Sequence, residues 1–178
     1  MRYLITTLSF MLLTLIGCKK NEKKQEQLPP VTQTGANTIG CLVNGKVFIP
    51  EGYNGTGTPN PKRIFDIGLD GLPYLQIVAR QYDDQRDVRG TLVIGIDSLV
   101  GTGTHKVYTN KKQIGFGSYL FPSCGIPPDD DVYFKSGSIE ITKYDLNNGI
   151  ISGVFNFKIK PSDCDTLFFT MGRFDFKL

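Results

Sequence analysis

Arg173-Phe174-Asp175-Phe176-Lys177-Leu178 alternates polar and apolar side chains without interruption. In an extended chain successive side chains point to opposite sides, so this segment has one face for water and one for a core. Chain ends usually fray, and a closing segment this regular is expected to be paired inside a sheet. Upstream, Ile150 to Lys160 carries Phe155, Phe157 and Ile159 on one face, and Gly137 to Tyr144 carries Ile139 and Ile141 inward with Glu140 and Thr142 outward. Asp145-Leu146-Asn147-Asn148-Gly149 between them has the composition of a turn.

The same habit extends toward the N-terminus. Thr104 to Thr109, Gln113 to Phe121 and Val132 to Phe134 read as short strands. Leu92, Ile94 and Ile96 align in one segment, Leu75, Ile77 and Ala79 in another, and Phe65, Ile67 and Leu69 in a third. Asn44-Gly45 separates Cys41-Leu42-Val43 from Lys46-Val47-Phe48-Ile49, and this dipeptide suits a tight hairpin because both central residues take positive φ. No stretch beyond residue 34 has helical spacing of apolar residues. About nine short strands punctuated by turns predict an all-β domain, a single antiparallel β-sandwich with a β-barrel as the alternative.

The chain has 178 residues, 40% hydrophobic and 21% charged, with net charge +3, four Cys, one His and no Trp. Leu4 to Ile16 is a mostly apolar run of 13 residues behind Arg2, too short to span a bilayer, which takes ~20, and suited to a signal peptide. Leu15-Ile16-Gly17-Cys18 resembles the lipobox of bacterial lipoproteins, which implies cleavage before Cys18 and acylation of its sulfur, palmitate being a typical chain. Several acyl chains at one residue hold a protein on a membrane, where one alone is marginal. The expected organisation is therefore a lipoprotein signal peptide (1–17), a lipid-anchored flexible tether (18–34) and a β-rich domain (35–178). The tether carries Lys19, Lys20, Lys23 and Lys24, while residues 31–178 balance at 15 basic and 15 acidic side chains. A neutral domain gives no electrostatic footprint for nucleic acid.

Thr34 to Val47, Ile141-Thr142-Lys143-Tyr144-Asp145 and Gly172-Arg173-Phe174-Asp175 together resemble a family of uncharacterised Bacteroidota outer-membrane lipoproteins. The resemblance implies an outer-membrane lipoprotein with one β-rich domain of unknown function, on the periplasmic face or at the cell surface. It brings no catalytic residues. Asp97-Ser98-Leu99 and Asp165-Thr166-Leu167 resemble the acceptor pattern for O-linked glycans in Bacteroidota, which makes Ser98 and Thr166 candidate modification sites.

With Cys18 acylated, Cys41, Cys124 and Cys164 remain in an oxidising compartment. Cys124 and Cys164 lie in turn-like sequence and are expected to form the disulfide. Cys41, in a strand, is expected to act as a small buried apolar group. His105 is the only imidazole, opens a strand and is expected at the surface. Asp83/Asp84/Asp87 and Asp129/Asp130/Asp131 read as solvated turns, since neither has the spacing of a calcium loop. No catalytic residue, metal or cofactor is assigned. The expected function is a non-catalytic binding module, held to the membrane through its lipid and meeting a protein or glycan partner. The alternative is a carboxylate-dependent hydrolase of glycans, for which Asp66 and Glu140 are the strand-borne acids.

Overall fold

The computed structural model describes residues 27–51, 60–67, 71–82, 88–108, 114–118, 134–160 and 165–178. Among them are ten strands and no helix: β1 (Thr38–Val43), β2 (Lys46–Phe48), β3 (Lys62–Ile67), β4 (Pro73–Tyr82), β5 (Val88–Ile96), β6 (Gly103–Tyr108), β7 (Ile114–Ser118), β8 (Phe134–Asp145), β9 (Ile150–Lys160) and β10 (Leu167–Lys177). They form two antiparallel sheets, one of six strands in the order β2-β1-β10-β9-β8-β6 and one of four in the order β3-β4-β5-β7. The fold is all-β and open, a sandwich and not a closed barrel.

The alternation read from the sequence is the burial pattern observed. Leu75, Ile77 and Ala79 of β4 face Leu92, Ile94 and Ile96 of β5 in the smaller sheet. The larger sheet answers with Ile139 and Ile141, with Phe155, Phe157 and Ile159, and with Phe169, Phe174 and Phe176, all buried. Each such side chain contributes about 1.5–3 kcal/mol by leaving water. The closing strand lies in the middle of its sheet, hydrogen-bonded to β1 on one side and β9 on the other. Asn44 and Gly45 take φ of 48° and 79°, as the β1–β2 hairpin requires.

The aromatic layer is seated on glycines. In the β9–β10 register Phe155 lies opposite Gly172, and Phe174 opposite Gly153. A Cβ on Gly172 would stand 2.2 Å from the Phe155 ring, and one on Gly153 would stand 2.6 Å from that of Phe174. Phe157 completes the layer, 5.5 Å from Phe155 and 4.6 Å from Phe169 between ring centres.

The two sheets are tied together at several points along their edges. Leu99, just beyond β5, donates its N–H to Pro73 O at 2.7 Å and accepts the Tyr144 hydroxyl of β8 at 3.2 Å. Arg63, opposite Ile77 in β3–β4, donates to Lys177 O and lies over the Phe176 ring at the end of β10. Glu51, three residues past β2, exchanges backbone hydrogen bonds with Arg80 and Tyr82. The β3–β4 ribbon and the turn after β5 thus touch the larger sheet near Tyr144 of β8, Lys177 of β10 and the chain leaving β2.

Three expectations are corrected. Ile67 is 58% exposed rather than aligned with the core, because β3 is an edge strand that runs past it. The segments 132–134 and 137–144 do not form two strands: β8 is continuous from Phe134 to Asp145, and Ser136-Gly137-Ser138 only looks like a break for want of apolar groups. His105 is half-buried, since it shares the inward face of β6 with Val107 and pairs with Ile139.

Candidate functional site

β10 and β1 put Asp175 and Gly40 on the outer face of the six-stranded sheet, the side away from the smaller one. The stretch leading into β1 lies back across that face. Leu28 and Pro29 lie over Gly40, where a Cβ would be 2.8 Å from Pro29 Cδ. Gln33 donates to Thr142 O on β8, and residues 32–36 close over Asp175.

Asp175 is 1% exposed. Its Oδ1 accepts from Gly35 N and Ser152 Oγ, each at 2.8 Å. Its Oδ2 accepts from Thr32 Oγ1 (2.6 Å), Thr34 N (2.9 Å), Ala36 N (3.2 Å) and Thr34 Oγ1 (3.3 Å). Burial by itself raises the pKa of this carboxyl; the donors of Thr32, Thr34, Ser152 and Gly35 outweigh it and hold the group well below the usual carboxylate range. Both oxygens are filled with donors, so Asp175 is an ionised staple and not a proton donor or nucleophile. Alternation alone puts it in solvent; the strap of residues 28–36 puts it in the interior.

Beside this staple a cavity of about 240 Å³ opens between the strap and the chain linking the two sheets. Gln27, Pro29, Asn37, Ile49, Asn60 and Pro61 line it with Thr38, Ile39 and Pro50. Asn60 is committed, holding Arg80 N and O through its side-chain amide at 3.0 and 2.8 Å. Asn37 accepts from Lys177 N at 3.2 Å. Among the described residues the lining has no ionisable side chain. A broader groove of about 460 Å³ runs past Thr102, Thr142, Tyr144 and Leu146 with the Lys143–Asp145 ion pair (3.4 Å). The Asn148 side chain and N–H hold the Asp145 carboxyl below its ordinary pKa.

Cys18, Cys124, Cys164 and the Asp83–Asp87 and Asp129–Asp131 clusters lie outside the described residues. Asp66 and Glu140 are both exposed, on β3 and β8 of different sheets, and are not brought together. Among the described residues no cluster of His, Cys, Asp and Glu is set to hold a metal. Burial lowers the pKa of His105. Ser98 is exposed in a turn at φ 54°, anchored by the buried Leu99, and Thr166 is half-exposed just ahead of β10. Lys135, which the sequence left between strands, is buried on the inward face beside Ile159.

Cys41 is fully buried and unbridged, and desolvation pushes its thiol up to about 12. Only the thiolate is nucleophilic, so iodoacetamide at pH 8 is expected to leave Cys41 untouched in the native protein and to label it in denaturant. Peptide mass mapping reads both states; native labelling at the rate of a free thiol would contradict this burial.

Comparison of the chain with protein-family models, with curated proteins and with solved structures finds no match to any of them.

Proposed function

We propose that the protein is a lipid-anchored module of a bacterial envelope that binds a neutral polar ligand, a glycan or a peptide backbone, without chemical turnover. The observation that carries this reading is the cavity beside the Asp175 staple: amides, a hydroxyl, prolines and isoleucines line it, and among the described residues no acid, base or nucleophile does. Such a lining offers hydrogen bonds and apolar contact, the two ingredients of a binding pocket. Hydrolysis of a glycosidic bond needs two carboxyl groups facing each other across the substrate. The strand-borne acids Asp66 and Glu140 stand on separate sheets, and the carboxylate of Asp175, deeply buried, is saturated. The anchor is supplied by Cys18, and the lysines that follow it give the tether its positive charge.

Metabolic labelling with a fatty-acid analogue is expected to mark the mature protein and to spare the Cys18→Ser form. Photo-crosslinking in native membranes is expected to capture a glycan or peptide, and Gln27→Arg, which places a bulky cation at the mouth of the cavity, is expected to abolish capture with the melting temperature unchanged. Capture that survives Gln27→Arg would move binding elsewhere. Oligosaccharide cleavage lost in Asp66→Asn or Glu140→Gln would replace the binding module by an enzyme.

A further inference from the structure

The outer face of the six-stranded sheet is covered only in part. Among the described residues the strap covers its Thr38–Asp175–Ser152 end, and the face is exposed at the far end of β10. There Phe168 and Met171 are 51% and 56% exposed. Met171 owes its position to an irregularity in β10 between Phe169 and Gly172, where it takes φ 53° and donates its N–H to Asn156 Oδ1. Thr170 pairs with Leu42, which pairs with Val47, and both of these are half-exposed on the same side. Lys158 lies across from Phe168, with Lys160 two residues on, and Lys106 of β6 follows across Ser138 of β8. Toward the strap is Arg173, whose buried Nε has no hydrogen-bond partner among the described residues. The acids on this face among the described strands are Glu140, Asp145, which is paired with Lys143, and Asp175, which lies under the strap. A domain that is neutral over residues 31–178 therefore presents a face that is both basic and apolar.

The tether ends on this same face. Leu28 lies over Gly40, and Leu42 is the next outward residue of β1. Nine residues, 18–26, separate the described chain from the acylated end, a reach of at most ~30 Å when fully extended. A bilayer holding the acyl chains is then within reach of Phe168. Exposed apolar side chains ringed by lysines match the chemistry of a surface that sinks into the headgroup layer of anionic lipid. We propose that the outer face of the six-stranded sheet, centred on Phe168 and Met171 with Lys106, Lys158 and Lys160 around them, docks the domain flat on an anionic phospholipid surface. The docked orientation leaves the smaller sheet and the β3–β4 ribbon turned toward solvent. This inference rests on acylation at Cys18 to bring the membrane near, while the face itself is testable without it.

The chain has no tryptophan, so Phe168→Trp supplies a single reporter, and Val100→Trp, in the β5–β6 turn away from this face, supplies its control. Both are made in the acylated protein and in the Cys18→Ser form, and presented to phosphatidylcholine vesicles with and without phosphatidylglycerol. For the acylated protein on anionic vesicles, the Phe168→Trp reporter is expected to shift to the blue and be quenched about twofold or more by brominated lipid, and the Val100→Trp reporter to stay in water. The Cys18→Ser form is expected to bind the same vesicles weakly, with binding lost in high salt or on Lys106→Glu/Lys158→Glu/Lys160→Glu. If the acylated protein floats with the vesicles while both reporters stay in water, docking is overturned and the anchor stands. If the protein carries no acyl group and fails to float, the anchor fails, and the Cys18→Ser arm decides the face: binding through Phe168 upholds docking, no binding ends it. A blue shift without vesicles that grows with protein concentration would assign the face to a second copy and overturn the proposal.

Discussion

Asp175→Asn is expected to remove about 3–5 kcal/mol of folding stability at neutral pH, much of what a domain of this size possesses. The carboxylate accepts six hydrogen bonds, three from backbone amides of the strap and three from hydroxyls of Thr32, Thr34 and Ser152. Asparagine keeps the shape, but its amino group must point at donors whichever way the side chain is turned. Turned one way, the amino group strands the N–H of Gly35; turned the other, it strands those of Thr34 and Ala36, and these backbone donors cannot rotate away in a dry site. Two measurements separate this from a generic core defect. Hydrogen exchange at the amides of Thr34, Gly35 and Ala36 is expected to rise far more than in β5, because the strap is released before the sandwich opens.

The acid limb of the stability profile gives the second measurement. The folded pKa of Asp175 lies below its unfolded value, near 3.9 for a free aspartate. Its contribution is therefore complete above about pH 4 and declines as pH falls toward the folded value. Wild-type stability should fall in this range and the Asp175→Asn curve should be flatter. Parallel acid limbs would show that the carboxylate is not the staple.

Gly172→Ala is expected to lose about 3 kcal/mol or more, an unusual amount for the addition of one methyl group. The new Cβ would meet three atoms of the Phe155 ring at 2.2–2.5 Å. That ring cannot retreat, being buried in the layer it shares with Phe157 and Phe169. Urea denaturation of Gly172→Ala, Phe155→Leu and the double variant forms a cycle. The double variant is expected to be more stable than the sum of the two losses allows, since the smaller side chain vacates the space that alanine needs. Strict additivity would mean that the glycine serves its backbone and not the ring above it.

Legibility in the sequence followed the range of the interaction. The inward residues of β4, β5, β9 and β10 were readable because alternation is local, and Asn44-Gly45 because turn geometry is. The burial of Asp175 was not legible, for the opposite reason. Its neighbours Phe174 and Phe176 point inward, so local pattern sends it to water, and its partners lie about 140 residues away in a threonine-rich stretch that resembles a linker. The signal that existed was weak: hydroxyls and a glycine in Thr32-Gln33-Thr34-Gly35, able to gather donors round an acid. The outer patch was hidden in the same way, because the irregularity that turns Met171 outward leaves no mark in Thr170-Met171-Gly172 beyond one small residue. Ile67 shows the converse, an apolar residue in perfect register whose strand happens to be an edge.

β10 sits between β1 and β9, and this has a consequence for biogenesis. During synthesis the β1–β2 and β8–β9 hairpins emerge before β10, and they are joined in one sheet only when β10 pairs with both β1 and β9. Closure of the larger sheet is thus a late, long-range event, of the kind that proceeds slowly. Until β10 inserts, the two hairpins present bare strand edges, and its arrival is the step that seals them against pairing with other chains.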